Sequence, residues 1–308
     1  MPSLRIATFN CENLFRRFRF NKNVNAEKAN SKGFLINELA FQILNPTEKK
    51  LTSRVVKETD ADVLALQEVE SLEVLRRFRS EYLNKSDGYT HALLIEGNDP
   101  RSIDVAVLSR HAITARSHHH LRSGNAALFS RDCLEVDLNV SGKPLTLYLN
   151  HFKSMLDKKD PKNGRKNTKT RRVVQSRMVK QIITNRFGAN PGAAPFVVLG
   201  DLNDYLGQGT GIDELVNWSE VENVVNRLPS NERWTHFWDG AAEPLEGYKQ
   251  IDYILPSQAL AAASGGLPVI IRKGLSTKAN QYAGPRYPGV SAKNVASDHC
   301  AVVFDLVL

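Results

Sequence analysis

The chain has 308 residues, 42% of them hydrophobic and 24% charged, with 41 Lys and Arg against 33 Asp and Glu. That composition belongs to a globular protein with ample material for a core, and it excludes collagen, coiled coil and wholesale disorder. The formal net charge of +8 suits a polyanionic partner such as nucleic acid, although many basic proteins bind none. Cys11, Cys133 and Cys300 are an odd, widely spaced set without a CxxC pair, which argues against a disulfide framework or a cysteine zinc site and for core positions. The start MPSLRIATFN has no charged segment leading into an apolar one, and no run approaches the ~20 apolar residues that span a bilayer. A soluble, cytoplasmic protein with no membrane span and no obligate protein partner is expected.

Residues 4–11 and 62–66 are apolar runs of strand length that stop at polar residues. Between them, 47–60 carries Leu51, Val55 and Val56 at helical spacing behind Thr47 as an N-cap. Residues 15–32, basic and polar with interleaved Phe, read as a long loop inserted after the first strand. A second helix is predicted over 71–83 from Leu72, Leu75, Phe78 and Leu83. Strands follow at 90–95, 103–109, 134–140 and 145–150, the last two joined by the turn Ser141-Gly142-Lys143-Pro144. The spacing of Val173, Val174, Met178, Ile182 and Ile183 predicts a helix over 170–187, then a Gly/Pro/Ala-rich turn and a strand at 196–199. Later strands fit 251–255 and 300–306, with a Gly/Pro-punctuated connection at 265–290. No linker divides the chain, so one domain over 1–308 is expected, a large α/β sandwich with mixed sheets and outer helices.

Polar residues recur where predicted strands end: Asn10 after IATF, Glu68 after VLALQ, His151 after LYLN, Asp201 and Asn203 in FVVLGDLN, and Asp298-His299 before CAVVF. Strand ends are where α/β architectures bind ligands, so this set points to a metal-assisted site. Oxygen donors dominate it, which favours a hard ion, Mg²⁺ or Mn²⁺, over zinc.

The segments ATFNCENLF, ADVLALQEVE, YLNHFKS, VVLGDLND, QIDYIL and ASDHCAV resemble, in order and approximate spacing, the motifs of the endonuclease/exonuclease/phosphatase superfamily. The resemblance covers most of the chain and implies a four-layer α/β sandwich of two stacked mixed sheets flanked by helices. It implies that Glu68 is the principal Mg²⁺ carboxylate, with Asn10 beside it and Asp298 a second carboxylate on the metal side. Asp201 and Asn203 would handle the attacking water and the phosphoryl oxygens. His299 would be the catalytic imidazole, oriented by Asp252. His151 resembles the second histidine of the deoxyribonuclease and sphingomyelinase branches, and Arg131 in FSRD resembles a deoxyribonuclease phosphate contact. Lys153 is a further candidate for substrate binding. Asp104 sits about where a carboxylate partner of His151 would be, and Glu12 about where some members place a second acidic ligand.

Phosphodiester hydrolysis needs these types on general grounds: charge neutralised on the phosphoryl oxygens, a water activated in line and a stabilised leaving oxygen. In this scheme Asp201 and His299 activate or orient water while His151 binds or protonates the phosphate; the sequence equally allows the two histidines to exchange roles. The leading expectation is a divalent-metal-dependent nuclease acting on DNA or RNA. A phosphomonoesterase or lipid-headgroup phosphodiesterase is the enzyme alternative, and a silent nucleic-acid-binding module the non-enzyme one.

Bland readings stand beside these. Glu68 could open a helix, Asn10 and Asp298 could be turn residues, and His118-His119-His120, alternating faces, reads as an exposed surface run. Phe15-Arg16-Arg17-Phe18-Arg19-Phe20 could stack bases or be a half-buried loop, and Trp218, Trp234 and Trp238 read as core or lid residues. Segment 153–172 holds nine Lys and Arg against two Asp. It reads as one basic loop beside the site on an otherwise nearly neutral protein.

Overall fold

Alternation of apolar side chains along the strands builds two sheets, seen in a computed structural model that describes residues 2–16, 18–20, 41–43, 46–240 and 247–308. The first sheet contains β1 (Ser3–Leu14), β2 (Val63–Val69), β3 (His91–Leu94) and β4 (Asp104–Ser109). The second contains β5 (Ile113–Arg116), β6 (Cys133–Val140), β7 (Lys143–His151), β8 (Phe196–Asp201) and β9 (Asp252–Pro256). The chain then returns to the first sheet with β10 (Val269–Ile271) and β11 (Ala301–Val307). Strand orders are β10-β11-β1-β2-β4-β3 and β9-β8-β7-β6-β5.

Each sheet holds one parallel pair, β1 with β2 and β7 with β8, and antiparallel neighbours elsewhere. A parallel pair needs a long crossover, and both crossovers contain helices: α1 (Pro46–Thr59) and α3 (Gly164–Phe187). The C-terminal ends of β1, β2, β7 and β8 therefore share a rim with the N-terminal ends of the antiparallel β4, β6, β9 and β11.

Three apolar layers hold the sandwich together. Leu4, Ile6, Val63, Ala65, Val302 and Phe304 of the first sheet meet Leu147, Leu149, Val197, Leu199 and Ile254 of the second. The alternate residues Ala7, Phe9, Leu64 and Leu66 face outward against α1 and α2 (Leu72–Tyr82) through Leu51, Val55, Leu75 and Phe78. On the far side Tyr148, Phe196, Val198 and Tyr253 pack against Val179, Ile182 and Ile183 of α3. The result is the four-layer α/β sandwich that the motifs imply.

Several boundaries differ from expectation. β1 and β2 run further than 4–11 and 62–66, because bulges near Asn10 and beyond Leu66 let pairing resume at Leu14 and Val69. α3 begins at Gly164, six residues before the predicted start. Its first turns bury Gly164 and Arg172 in place of apolar side chains, so hydrophobic periodicity cannot register them. The basic segment is accordingly a loop and a helix, not one loop. β5 and β10 are short strands that apolar patterning does not reveal, the latter inside the connection at 265–290. Most of the loop expected at 15–32, with Arg17 of the Phe/Arg run, lies outside the described residues, while Phe18–Phe20 is a short strand paired antiparallel with Phe41–Ile43 rather than loop. All three cysteines are buried and unpaired. His118 departs from the exposed run expected of it, its Nε2 lying 3.0 Å from the buried Glu135. Trp234 is buried in a minor core, while Trp218 and Trp238 are half-buried. No helix among the described residues is long and apolar enough to cross a membrane.

Gly200 decides how β8 reaches the rim. Its φ is +133°, and a Cβ there would fall onto the carbonyl oxygen of Asn150 in β7. Gly200→Ala is expected to destabilise the protein by about 3 kcal/mol or more, since strain and collision act together. Urea unfolding measures this; a loss below about 1 kcal/mol would mean that the strand end relaxes without cost.

Candidate active site

Four candidate side chains are the last members of inward-facing stripes. Leu4, Ile6 and Thr8 lead to Asn10; Leu147 and Leu149 to His151; Val197 and Leu199 to Asp201; Ile254 back to Asp252. A period of two carries each polar group onto the face that looks across the sandwich. There Asn10 Nδ2 donates to Asp201 Oδ2 at 3.0 Å, joining the two sheets. Asp201 also accepts from the backbone N–H of Asn203 at 2.8 Å and from Asn203 Nδ2 at 2.9 Å. His151 Nε2 lies 3.5 Å from Asp201 Oδ2 and 3.8 Å from Glu68 Oε1.

Glu68 reaches this cluster through backbone strain. Its φ is +64°, and Glu12, Asn13 and Asn203 are also left-handed, at +47°, +68° and +51°. Such conformations cost about 1–3 kcal/mol each in a non-glycine residue and collect at functional sites. The bulge turns Glu68 off the outward register of Leu64 and Leu66, and Asn13 N–H then donates to its Oε2 at 3.1 Å. Glu12 Oε2 accepts from the Asp298 N–H at 3.0 Å.

On the opposite flank His299 Nδ1 lies 3.0 Å from Asp252 Oδ2, which also accepts from Thr235 Oγ1 at 2.7 Å. His299 Nε2 is 3.9 Å from Asp201 and 3.8 Å from Asp298. The structure thus brings together Asn10, Glu68, His151, Asp201, Asn203, Asp252, Asp298 and His299. Arg131 lies beside them, fully buried, its Nη1 donating to Phe152 O at 3.0 Å and its Nε 3.2 Å from Asp99 Oδ2. Lys153 is half-buried with its ammonium donating to the carbonyls of Ser154 and Leu156, at 3.0 and 3.3 Å. Asp104 does not partner His151. Its carboxylate accepts from Gly97 N–H at 2.9 Å, and His151 Nδ1 is buried without a hydrogen bond.

The two histidines sit in opposite fields. Burial, then Arg131 and His299, hold His151 well below the usual imidazole value. Burial also opposes charge on His299, but Asp252, Asp201 and Asp298 outweigh it and hold that imidazole well above. Among the acids, burial pushes Asp201 up to about 7, with Asp252 adding to it. Burial and Asp298 push Glu12 up to about 8 and raise Glu68 as well. Asp298 stays at about 2, because His299 and His236 overcome its burial. Acids outnumber the cations that face them, and Glu12, Glu68, Asp298 and the Asn10 carbonyl form an oxygen-donor set. That chemistry fits a hard divalent cation. Among the described residues, the acid and imidazole groups whose ligand atoms all lie within 4.8 Å of one another are different ones: His236 with Asp298 and His299, and Asp201 with Asp252 and His299.

Sequence reasoning missed three contributors. His236 packs its ring against His299 with centroids 4.8 Å apart and sets Nε2 3.4 Å from Asp298. Thr235 holds Asp252. Both lie in WTHFW, which no strand periodicity marks, and both arrive through backbone pairing with 298–300. Arg101 grips Asp99 with two hydrogen bonds of 3.0 and 2.9 Å and so stands beside Arg131; RSID carried no signal beyond charge.

A model of the Endonuclease/Exonuclease/phosphatase family matches residues 7–299. No curated protein sequence matches the chain. Among solved structures, it is similar to an endonuclease/exonuclease/phosphatase from Beutenbergia cavernae, with 16% identity and a TM-score of 0.61 over 99% of this chain and 72% of that one. It is also similar to a truncated TDP2 from Caenorhabditis elegans, with 16% identity and a TM-score of 0.60 over 99% and 98%. A mannosyl-6-phosphatase from Bacteroides thetaiotaomicron gives 16% and 0.58 over 99% and 100%. At such identity the likeness is one of fold.

The raised acids have a consequence for stability. A carboxyl whose folded value exceeds its unfolded one keeps its proton longer when folded, so stability falls as pH rises through the folded value. From pH 6.5 to 8.5 Asp201 and Glu12 act in this sense, and His299, also raised, acts the same way. His151 works oppositely only below the unfolded imidazole value, and Asp298 is ionised in both states throughout. The thermal midpoint in EDTA should therefore drop by several degrees over this range, since losing about 1 kcal/mol lowers it by about 2 °C in a chain of this length. Mg²⁺ should raise the midpoint more at pH 8.5 than at 6.5. Calorimetry showing a midpoint that rises with pH would contradict the charge excess.

Proposed function

Because the chain belongs to the endonuclease/exonuclease/phosphatase family, whose members hydrolyse phosphoesters, we propose that it is a divalent-metal-dependent phosphodiesterase cleaving DNA or RNA, acting as one domain. The observation that carries this reading is the His299–Asp252 pair set against Asp201, with the oxygen donors of Glu68, Asn10 and Asp298 alongside. Those three residues would hold Mg²⁺ or Mn²⁺. A bound cation of this kind supplies neutralising charge for the phosphoryl oxygens.

The remaining steps belong to the chain's own side chains. Asp201, held by Asn10 and Asn203, orients the attacking water and accepts its proton. Asp252 fixes the ring of His299 through Nδ1, leaving Nε2 toward the reacting phosphate. Kept protonated by three carboxylates, His299 is suited to bind a phosphoryl oxygen or give a proton to the leaving group. His151, kept neutral, is suited to donate an uncharged Nε2–H to the same phosphate. This electrostatic contrast leaves His151 on the phosphate and moves His299 from the water to the phosphate beside it. Arg131 adds fixed positive charge behind His151. Lys153, its ammonium on loop carbonyls, serves the substrate after rotating away from them.

Incubation with supercoiled plasmid, single-stranded DNA and RNA in Mg²⁺, Mn²⁺ or EDTA tests this. Metal-dependent cleavage is expected, lost by about 10³-fold or more in Asp201→Ala and His299→Ala. Asp252→Asn, which disturbs only the ring's orientation and tautomer, should cost about 10²–10⁴ in kcat. Turnover confined to inositol phosphates, sugar phosphates or sphingomyelin would move the substrate to a small phosphoester or lipid headgroup. Binding without turnover would sink the enzymatic reading.

A further inference from the structure

We propose that the exposed lysines of 158–166 form the surface along which a nucleic-acid substrate extends beyond the bond being cut. The inference rests on the nucleic-acid reading above and assigns that substrate a second, non-catalytic contact region.

The fold divides the basic segment into two populations. Arg165 and Arg172 turn inward onto Asp204, their Nε atoms 2.7 and 2.8 Å from its two oxygens. Asp204 and Arg172 are wholly buried, and Asp204 also accepts from the N–H groups of Tyr205 and Gly211. Arg172 Nη1 donates to Lys153 O at 3.3 Å and Arg165 Nη2 to Tyr205 O at 2.6 Å. These two arginines therefore bolt the loops after β7 and β8, which follow His151 and Asp201, to the start of α3. Their charge is spent inside the molecule.

Lys158, Lys159, Lys162 and Lys166 are all exposed, and none forms an ion pair among the described residues. The local acids are engaged elsewhere. Asp157 accepts from Lys159 N–H and Asn167 Nδ2, and Asp160 from Asn163. Lys166 and the half-buried Lys169 are three residues apart on α3 and so share a flank, and Lys162 stands in the 3-10 turn Pro161–Asn163 that leads into the helix. At 1.5 Å per residue, Lys166 to Lys169 covers about 5 Å of helix, on the order of one to two steps of a nucleic-acid strand, with Lys162 extending the row at its start.

One loop joins this surface to the site. The loop that bears it leaves β7 at His151 and buries Met155 against Ile251, the neighbour of Asp252. A small phosphoester held at the site would leave these lysines unused, whereas a polymer threaded through it brings further phosphates across them. An anionic membrane is the poorer fit. Among the described residues of segment 153–172, Leu156, 40% exposed, is the one large apolar side chain that is exposed, and interfacial binding needs an apolar face.

The test compares the full chain with a variant carrying Lys158→Gln, Lys159→Gln, Lys162→Gln and Lys166→Gln. Anisotropy of a labelled 20-mer duplex in EDTA, from 50 to 200 mM salt, gives the dependence of log K on log salt. The slope should fall by about three to four, near 0.9 for each of the four lost phosphate contacts. Hydrolysis of bis(p-nitrophenyl) phosphate with Mg²⁺ should stay within about two-fold, because no substituted residue lies in the site. An unchanged slope overturns the surface, as does a variant that keeps the duplex but loses phosphatidylserine vesicles. If neither protein cleaves any nucleic acid, the catalytic reading fails instead, while the slope still decides whether the lysines bind a polyanion.

Discussion

The hydrogen bond from Asn10 to Asp201, 3.0 Å long and buried, is where the two sheets stop being an apolar sandwich and become a polar site. Each sheet delivers an inward stripe of apolar residues, and each stripe ends in a group that must find a partner or incur a desolvation penalty. Asn10 and Asp201 are each other's partner. Holding Asp201 there sets it between His151 and His299, so both imidazoles are ordered around one carboxylate.

Topology explains why so many polar groups meet at one rim. Helical crossovers join β1 to β2 and β7 to β8, and each returns the chain to the same end of its sheet. Antiparallel neighbours then bring Asp252 and His299 to that rim from the opposite chain direction. The arrangement repeats in both sheets, and residues as distant in sequence as Asn10 and His299 share a site. Regular geometry alone is insufficient. Glu68 needs a left-handed residue within a bulge, and Asn203 needs another to fold its N–H and amide back onto Asp201. The strain is supported by the well-packed strands behind it, whose side chains are almost wholly buried.

How much of this was legible follows from the same geometry. Asn10, His151, Asp201 and Asp252 continue or open a period-two pattern, so apolar alternation marks the strand and its end marks the site. Glu68 was marked by its place at the end of a strand and by its motif, but its face was not legible, because a bulge breaks the register that would have assigned it. His236 and Thr235 sit on the ribbon His236–Trp238 or just before it, and their relation to His299 is tertiary. The early start of α3 was invisible for a different reason: Arg165, Thr168 and Arg172 line the face turned toward Asp204, and a polar stripe does not look like a core. The net charge concealed this too, since counting cannot distinguish Arg172, buried and paired, from Lys166, exposed and free.

Surroundings, not residue type, separate the two histidines. His299 is approached by carboxylates on three sides, and their sum overcomes the cost of burying an imidazolium. His151 has Asp201 and Glu68 at 3.5 and 3.8 Å, but its burial and the fixed charge of Arg131 work against protonation. Arg131 is itself kept in place by Asp99, which Arg101 grips from outside. Burial and the arginines of this chain therefore withhold the proton from His151, while the three carboxylates keep it on His299. The same logic assigns acid and base wherever like groups are driven apart by environment. Here it does so within a cluster tied together by one side-chain hydrogen bond between two sheets.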